Sequence, residues 1–98
     1  MLIQELYNLL DLPDSDYWFD SGCEIARNLI NENRDEIFIL LKSVWREWPA
    51  VVQEHLVYIL GEGSSERELE LIEDMVSSKY ESVVYRSKEA LIDFNKKT

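Results

Sequence analysis

The sequence has one cysteine, two prolines, three glycines and half as many basic as acidic residues, and each scarcity excludes something. A single cysteine cannot close an internal disulfide, so a reducing compartment is the default. Few glycines and prolines leave little material for tight turns, which suits helices joined by short loops. Ten bases against twenty acids give a formal net charge of −10. Phosphates of nucleic acid would be repelled by such a surface, and so would an anionic membrane. No apolar run approaches the ~20 residues that span a bilayer. The first residues, Met1-Leu2-Ile3-Gln4-Glu5, lack the basic segment of a secretion signal. A cytoplasmic protein is expected, with neither membrane nor nucleic acid as its direct partner.

What is present is a core. Hydrophobic residues make up 46% of the chain, with three tryptophans, five tyrosines and three phenylalanines among them. That is enough for one folded domain over residues 1–98 without covalent staples. In Glu36–Trp48 the residues Ile37, Phe38, Leu40, Leu41, Val44, Trp45 and Trp48 share one wide apolar face at about 100° per residue. Lys42, Ser43, Arg46 and Glu47 fill the other side. A face broader than an ordinary surface stripe implies neighbours on two sides. This helix is therefore expected to be the packing centre.

The remaining segments read as helices too. Leu2, Ile3, Leu6, Leu9 and Leu10 give a short first helix, broken by Leu12-Pro13. A second runs from Asp20 to about Asn31, with Gly22, Cys23, Ile25, Ala26, Leu29 and Ile30 in one half of its wheel. Pro49 opens a helix carrying Val51, Val52, His55, Leu56, Tyr58, Ile59 and Leu60, which Gly61-Glu62-Gly63 ends. Ser64 or Ser65 caps the next, and Ser65 with Glu68 has the spacing of a capping box. The last helix begins near Tyr80 and turns Val83, Val84, Ser87, Ala90, Leu91 and Phe94 inward.

Candidate chemistry is sparse. Asp11, Asp14, Asp16 and Asp20 follow one another without a base, but they lack the spacing and terminal glutamate of a calcium loop. Cys23 falls on an apolar face, far in sequence from the only histidine, and reads as core filler. His55 lies inside an apolar arc and reads as a core residue, with no Ser/His/Asp set, metal cluster or phosphate loop around it. No enzyme activity, catalytic residue, cofactor or metal is expected.

A shift of 32 residues lays Val51 on Val83, Val52 on Val84, Ile59 on Leu91 and Leu60 on Ile92, and places His55 opposite Ser87. The same shift lays Ile37 on Leu69, Leu40 on Ile72 and Val44 on Val76. The helix from Gly22 to Ile30 fits as an earlier copy at a shift of 29. Two helices per unit, repeated, mark an α-solenoid. The stretch Val83-Val84-Tyr85-Arg86-Ser87-Lys88-Glu89-Ala90-Leu91 resembles the first-helix pattern of HEAT repeats, a valine followed by small residues four and seven later and then leucine. Val84 stands where that family usually has arginine, and the family's unit is longer than 32 residues. The resemblance covers roughly residues 20–95. It implies an all-α fold, a short HEAT-like α-solenoid of stacked antiparallel helix pairs with five to six helices. An irregular bundle of the same helices is the other architecture the pattern allows.

Two surfaces stand out as places for a partner. One is the acidic-aromatic stretch Asp14, Asp16, Tyr17, Trp18 and Asp20, which is expected to be a loop. The other is Glu66, Glu70, Glu73 and Asp74, gathered on one helix face where like charges four apart repel with little basic compensation. Trp45 lies at the edge of the central helix's apolar face and is a third candidate contact. Tryptophan and tyrosine beside carboxylates suit an interface with a cationic protein. The alternative is that the charge keeps a small domain soluble and the tryptophans complete its core. In size, charge and architecture the chain resembles bacterial immunity proteins, including those of contact-dependent growth inhibition. That resemblance implies an inhibitor that covers the active or substrate-binding surface of a cognate basic toxin, such as a nuclease domain. A helical-repeat adaptor for another protein is the alternative.

Overall fold

The computed structural model describes residues 2–13, 16–61 and 65–96, and among these it contains six α-helices and no strand. They are α1 (Leu2–Leu10), α2 (Cys23–Glu32), α3 (Arg34–Val44), α4 (Ala50–Gly61), α5 (Glu66–Met75) and α6 (Glu81–Lys96). A π-helical turn, Trp18–Gly22, precedes α2, and a 3₁₀ turn, Trp45–Glu47, follows α3. The expected all-α class is what forms.

α1 closes where the Asp11 N–H donates to the Tyr7 carbonyl at 2.9 Å, just short of Pro13. The next segment departs from expectation. Residues 16–22 are helical and run straight into α2, with Tyr17, Gly22 and Cys23 all in right-handed helical geometry. Trp18, Gly22, Ala26 and Ile30 are all buried. A row spaced by four drifts round a regular α-helix. The wider π-helical turn offsets that drift and keeps Trp18 in line with the others. Gly22 suits the close approach here, since a Cβ would lie 2.9 Å from Leu12 Cδ1 and 3.0 Å from Trp18 Cε3 and would make the Leu12 side chain shift.

The helix expected over 36–48 stops at Val44. Pro49 pushes the residue before it out of helical geometry, and Trp48 is extended at ψ 151°. One 3₁₀ turn fills the gap, and its last hydrogen bond runs from the Trp48 N–H to the Trp45 carbonyl at 3.2 Å. Nor is this segment the packing centre. That place belongs to α4, which packs against α1, α2, α5 and α6. Its Val52, Gln53, His55, Leu56, Val57, Ile59 and Leu60 are all buried. At about 100° per residue these positions fill an arc of about 200°, far wider than a surface stripe, and leave Val51, Glu54 and Tyr58 toward the open side.

α3 packs against α1, α2 and α5, and α6 covers both α4 and α5. Burial in the two halves of the chain matches better at a shift of 31 than at the expected 32. A shift of 31 carries buried Val52 and Leu56 onto buried Val83 and Ser87, and buried Leu41 onto buried Ile72. The shift of 32 instead lays exposed Val51 on buried Val83. The described residues extend 29 × 27 × 26 Å around one core.

Candidate partner-binding surface

The acidic face of α5 is less open than its sequence suggests. Asp74 is engaged inside the molecule, where Oδ2 accepts from Trp45 Nε1 at 2.9 Å and Oδ1 from Arg46 at 2.8 Å. The Arg46 guanidinium also lies 4.5 Å from the Trp45 ring centroid. These three groups tie the 3₁₀ turn to the end of α5. The compensation missing along α5 arrives through tertiary structure, from a residue 28 positions away. Arg67 on α5 reaches Asp35 at 2.9 Å. Glu66, Glu70 and Glu73 remain exposed. Glu70 lines a groove of about 230 Å³ between α3 and α5, together with Phe38, Ile39, Lys42, Arg67 and Leu71.

Two of the tryptophans proposed as contacts have no exposed area. Trp18 and Trp45 are both 0% accessible and lie in the core. A helical wheel continued through Trp48 puts Trp45 at an edge, whereas the 3₁₀ turn carries it into the core. Trp18 is expected in an exposed loop, whereas the π-helical turn buries it against His55, with ring centroids 4.1 Å apart and planes within 14°. Asp14 lies outside the described residues. Asp16, Tyr17 and Asp20 are exposed, as expected, but they project from a helix.

Phe19, which the sequence did not single out, is the exposed aromatic of this segment that meets another element. It is half exposed and contacts Tyr58 of α4 edge to face, with centroids 5.7 Å apart. Beside them opens a cavity of about 80 Å³ lined by Trp18, Phe19, Val51, Glu54, His55, Tyr58 and Arg86. A second cavity, of about 190 Å³, lies between α4 and α6, with Glu54, Tyr58 and Arg86 again in its lining and Glu89 and Asp93 added. Arg86 donates from Nε to Glu54 Oε1 at 2.8 Å. Tyr85, exposed on α6, has its phenol pushed up, first by its hydrogen bond to Glu89 and then by that carboxylate's charge. The π-helical turn, α4 and α6 thus frame two adjoining cavities, the smaller mostly aromatic and the larger acidic, with Glu54, Tyr58 and Arg86 between them. A pattern read one helix at a time cannot assemble this surface, because its residues come from three elements.

The buried polar residues hold the architecture. Since a carbonyl can only accept, His55 donates Nδ1–H to Leu10 O at 2.8 Å. His55 is the core residue that its arc implied. Gln53 donates to the Trp48 carbonyl at 2.8 Å and accepts from Ser78 Oγ at 2.6 Å, joining the turns before α4 and after α5. Cys23 packs against the core and its thiol reaches the Phe19 carbonyl at 3.2 Å. Trp18 Nε1 and Ser87 Oγ are buried without a hydrogen-bond partner. Among the described residues no group of three or more His, Cys, Asp or Glu side chains is placed to hold a metal ion. No helix among them is long and apolar enough to cross a membrane.

Compared with family models, curated proteins and solved structures, the chain matches none.

Proposed function

We propose that the protein works by binding a cationic protein, and that the face formed by the π-helical turn, α4 and α6 is where it does so. The observation that carries this reading is the pair of adjoining cavities that share Glu54 and Tyr58, one with Phe19 in its lining and the other with Glu89 and Asp93, where exposed aromatic area lies beside carboxylates. Aromatic rings supply contact area at low entropic cost, and the surrounding acids steer a basic partner toward them. Asp16, Tyr17 and Asp20 extend the acidic-aromatic surface along the π-helical segment. Glu66, Glu70 and Glu73 take a smaller part, because Arg67 and Lys42 lie close to Glu70. In this reading the protein is an inhibitor of the immunity type, covering the working surface of a basic toxin domain.

The HEAT-like architecture belongs to the same proposal. α1, α3 and α5 begin at residues 2, 34 and 66. α3 packs against both α1 and α5, and α4 against both α2 and α6. This supports reading α1–α2 and α5–α6 as two pairs of a short α-solenoid, with α3 and α4 layered between them and packed on the outer helices more than on each other. An adaptor is the second reading, favoured by the separate groove between α3 and α5, where Ile39 is 68% exposed.

The test is affinity capture from the native host at low salt, with the protein and its Glu89→Lys/Asp93→Lys variant as parallel baits. A basic protein retained by the first and lost from the second is the expected result. Retention of the same partners by both baits would reject this face.

A further inference from the structure

We propose that the α4–α6 groove is a seat for an arginine side chain of the partner, occupied in the free protein by the chain's own Arg86. This rests on the cationic-partner reading above and names the group that is recognised. Arg86 stands where the two cavities of about 80 and 190 Å³ meet, because it, Glu54 and Tyr58 line both. Its side chain is 52% exposed and leans on Glu54 through one 2.8 Å contact. Half-exposed pairs of this kind are weak and screened by water, so the guanidinium can be displaced at small cost. Swinging it away would join the two cavities into one trough.

The walls of that trough suit a guanidinium. Tyr58 is 39% exposed, and Phe19 meets it edge-on and supports it from the π-helical turn. A planar cation stacks on such a ring and at the same time presents its N–H fork to a carboxylate. Glu54 offers one carboxylate at the junction, and Glu89 and Asp93 offer two more along the larger cavity. Three acids around one resident base leave a local deficit of positive charge that an incoming arginine fills. An ammonium group, compact and strongly hydrated, gains the charge but forgoes the stacked, forked geometry. Glu54 would keep an arginine partner throughout, first from its own chain and then from the other.

The test uses the whole protein and two probes of equal length, an oligoarginine and an oligolysine peptide. Affinities are measured by calorimetry, and contacts by side-chain chemical shifts of Phe19, Tyr58 and Arg86. Oligoarginine should bind more tightly by about threefold or more, the worth of an exposed cation–π stack. Arg86→Ala should widen that preference by vacating the seat. Lys88→Ala, which removes the same charge from an exposed site on α6, should raise both affinities equally. Glu54→Gln should erase the preference while leaving the helical spectrum and thermal midpoint close to those of the unaltered protein. Equal affinity for the two peptides, or equal responses to Arg86→Ala and Lys88→Ala, would overturn the seat while leaving a cationic partner in place. Shifts confined to Glu66, Glu70 and Glu73 would overturn it as well. Self-association that Arg86→Ala weakens would show a second copy as the occupant and reject a foreign arginine. Failure of both peptides to bind would overturn the seat, and the broader reading would still be decided by the charge-reversed bait.

Discussion

Glu68 holds two parts of the molecule together. Its Oε2 accepts from the Ser65 N–H at 3.0 Å, which closes the capping box of α5, and its Oε1 pairs with Arg27 of α2. Arg27 also donates to the Ile59 carbonyl at 3.1 Å, so one buried ionic contact joins α2, α4 and α5. The Glu68 side chain is 0% exposed and that of Arg27 only 17%. Removing one member of such a pair strands the other charge. Glu68→Ala should therefore lower stability by about 3 kcal/mol in urea unfolding. Arg27→Met combined with Glu68→Leu should recover most of that loss, since a packed apolar pair replaces a pair that had to be desolvated. A loss below about 1 kcal/mol for the single variant would show the pair to be incidental. Asp74 gives a second test of the same kind. Read along α5 alone, Asp74→Lys relieves repulsion and should stabilise. With Trp45 Nε1 and Arg46 as its actual partners, the substitution should instead cost about 1–3 kcal/mol. The sign of the change in urea midpoint decides between the two.

Among the elements, the contrast between α3 and α4 is the instructive one. The apolar face over 36–48 is easy to see on a wheel, yet Val44 at its centre is only half-buried and ends its helix. α4 has less periodic contrast because its buried arc is about twice the width of a surface stripe and its open side also carries apolar area, from Val51 and Tyr58. Truncations should rank accordingly. Leu56→Ala leaves a cavity in a closed core and should cost about 2–5 kcal/mol. Val44→Ala should cost well under half as much, because the end of α3 can relax. Matched urea titrations of the two variants measure the difference, and equal losses would return the packing centre to α3.

For the molecule as a whole, the net charge of −10 sets a term that no single contact cancels. Like charges crowded onto a domain of 29 × 27 × 26 Å repel one another, and salt screens them. The Debye length falls from about 30 Å to about 8 Å between 0.01 M and 0.15 M salt. The thermal midpoint should rise over that range even though the exposed pairs Arg46–Asp74, Arg67–Asp35 and Arg86–Glu54 weaken. A falling midpoint would mean that these pairs outweigh the general repulsion. The same excess of charge makes encounter with a basic partner fast at low salt and slow at high salt.

By itself the sequence determined whatever depends on neighbours along the chain. The helical class follows from apolar spacing and from the shortage of turn-forming residues. The Ser65–Glu68 capping box follows from a three-residue interval, and the inward face of α6 from Val83, Ser87 and Phe94. Apolar spacing alone does not fix how the two halves align, because similar side chains at shifts of 31 and 32 differ in burial more than in type. Tertiary structure alone decided which helix sits at the centre, where the charges find partners, and which aromatics reach the surface. Trp18 is buried because a π-helical turn rotates it, and Asp74 is neutralised because Arg46 arrives from another element. The groove of Phe19, Tyr58, Glu54 and Arg86 exists only once three segments meet. The physical reason is the same in each case. Helix periodicity is set by hydrogen bonds a few residues long, whereas burial and charge pairing depend on distances across the folded chain.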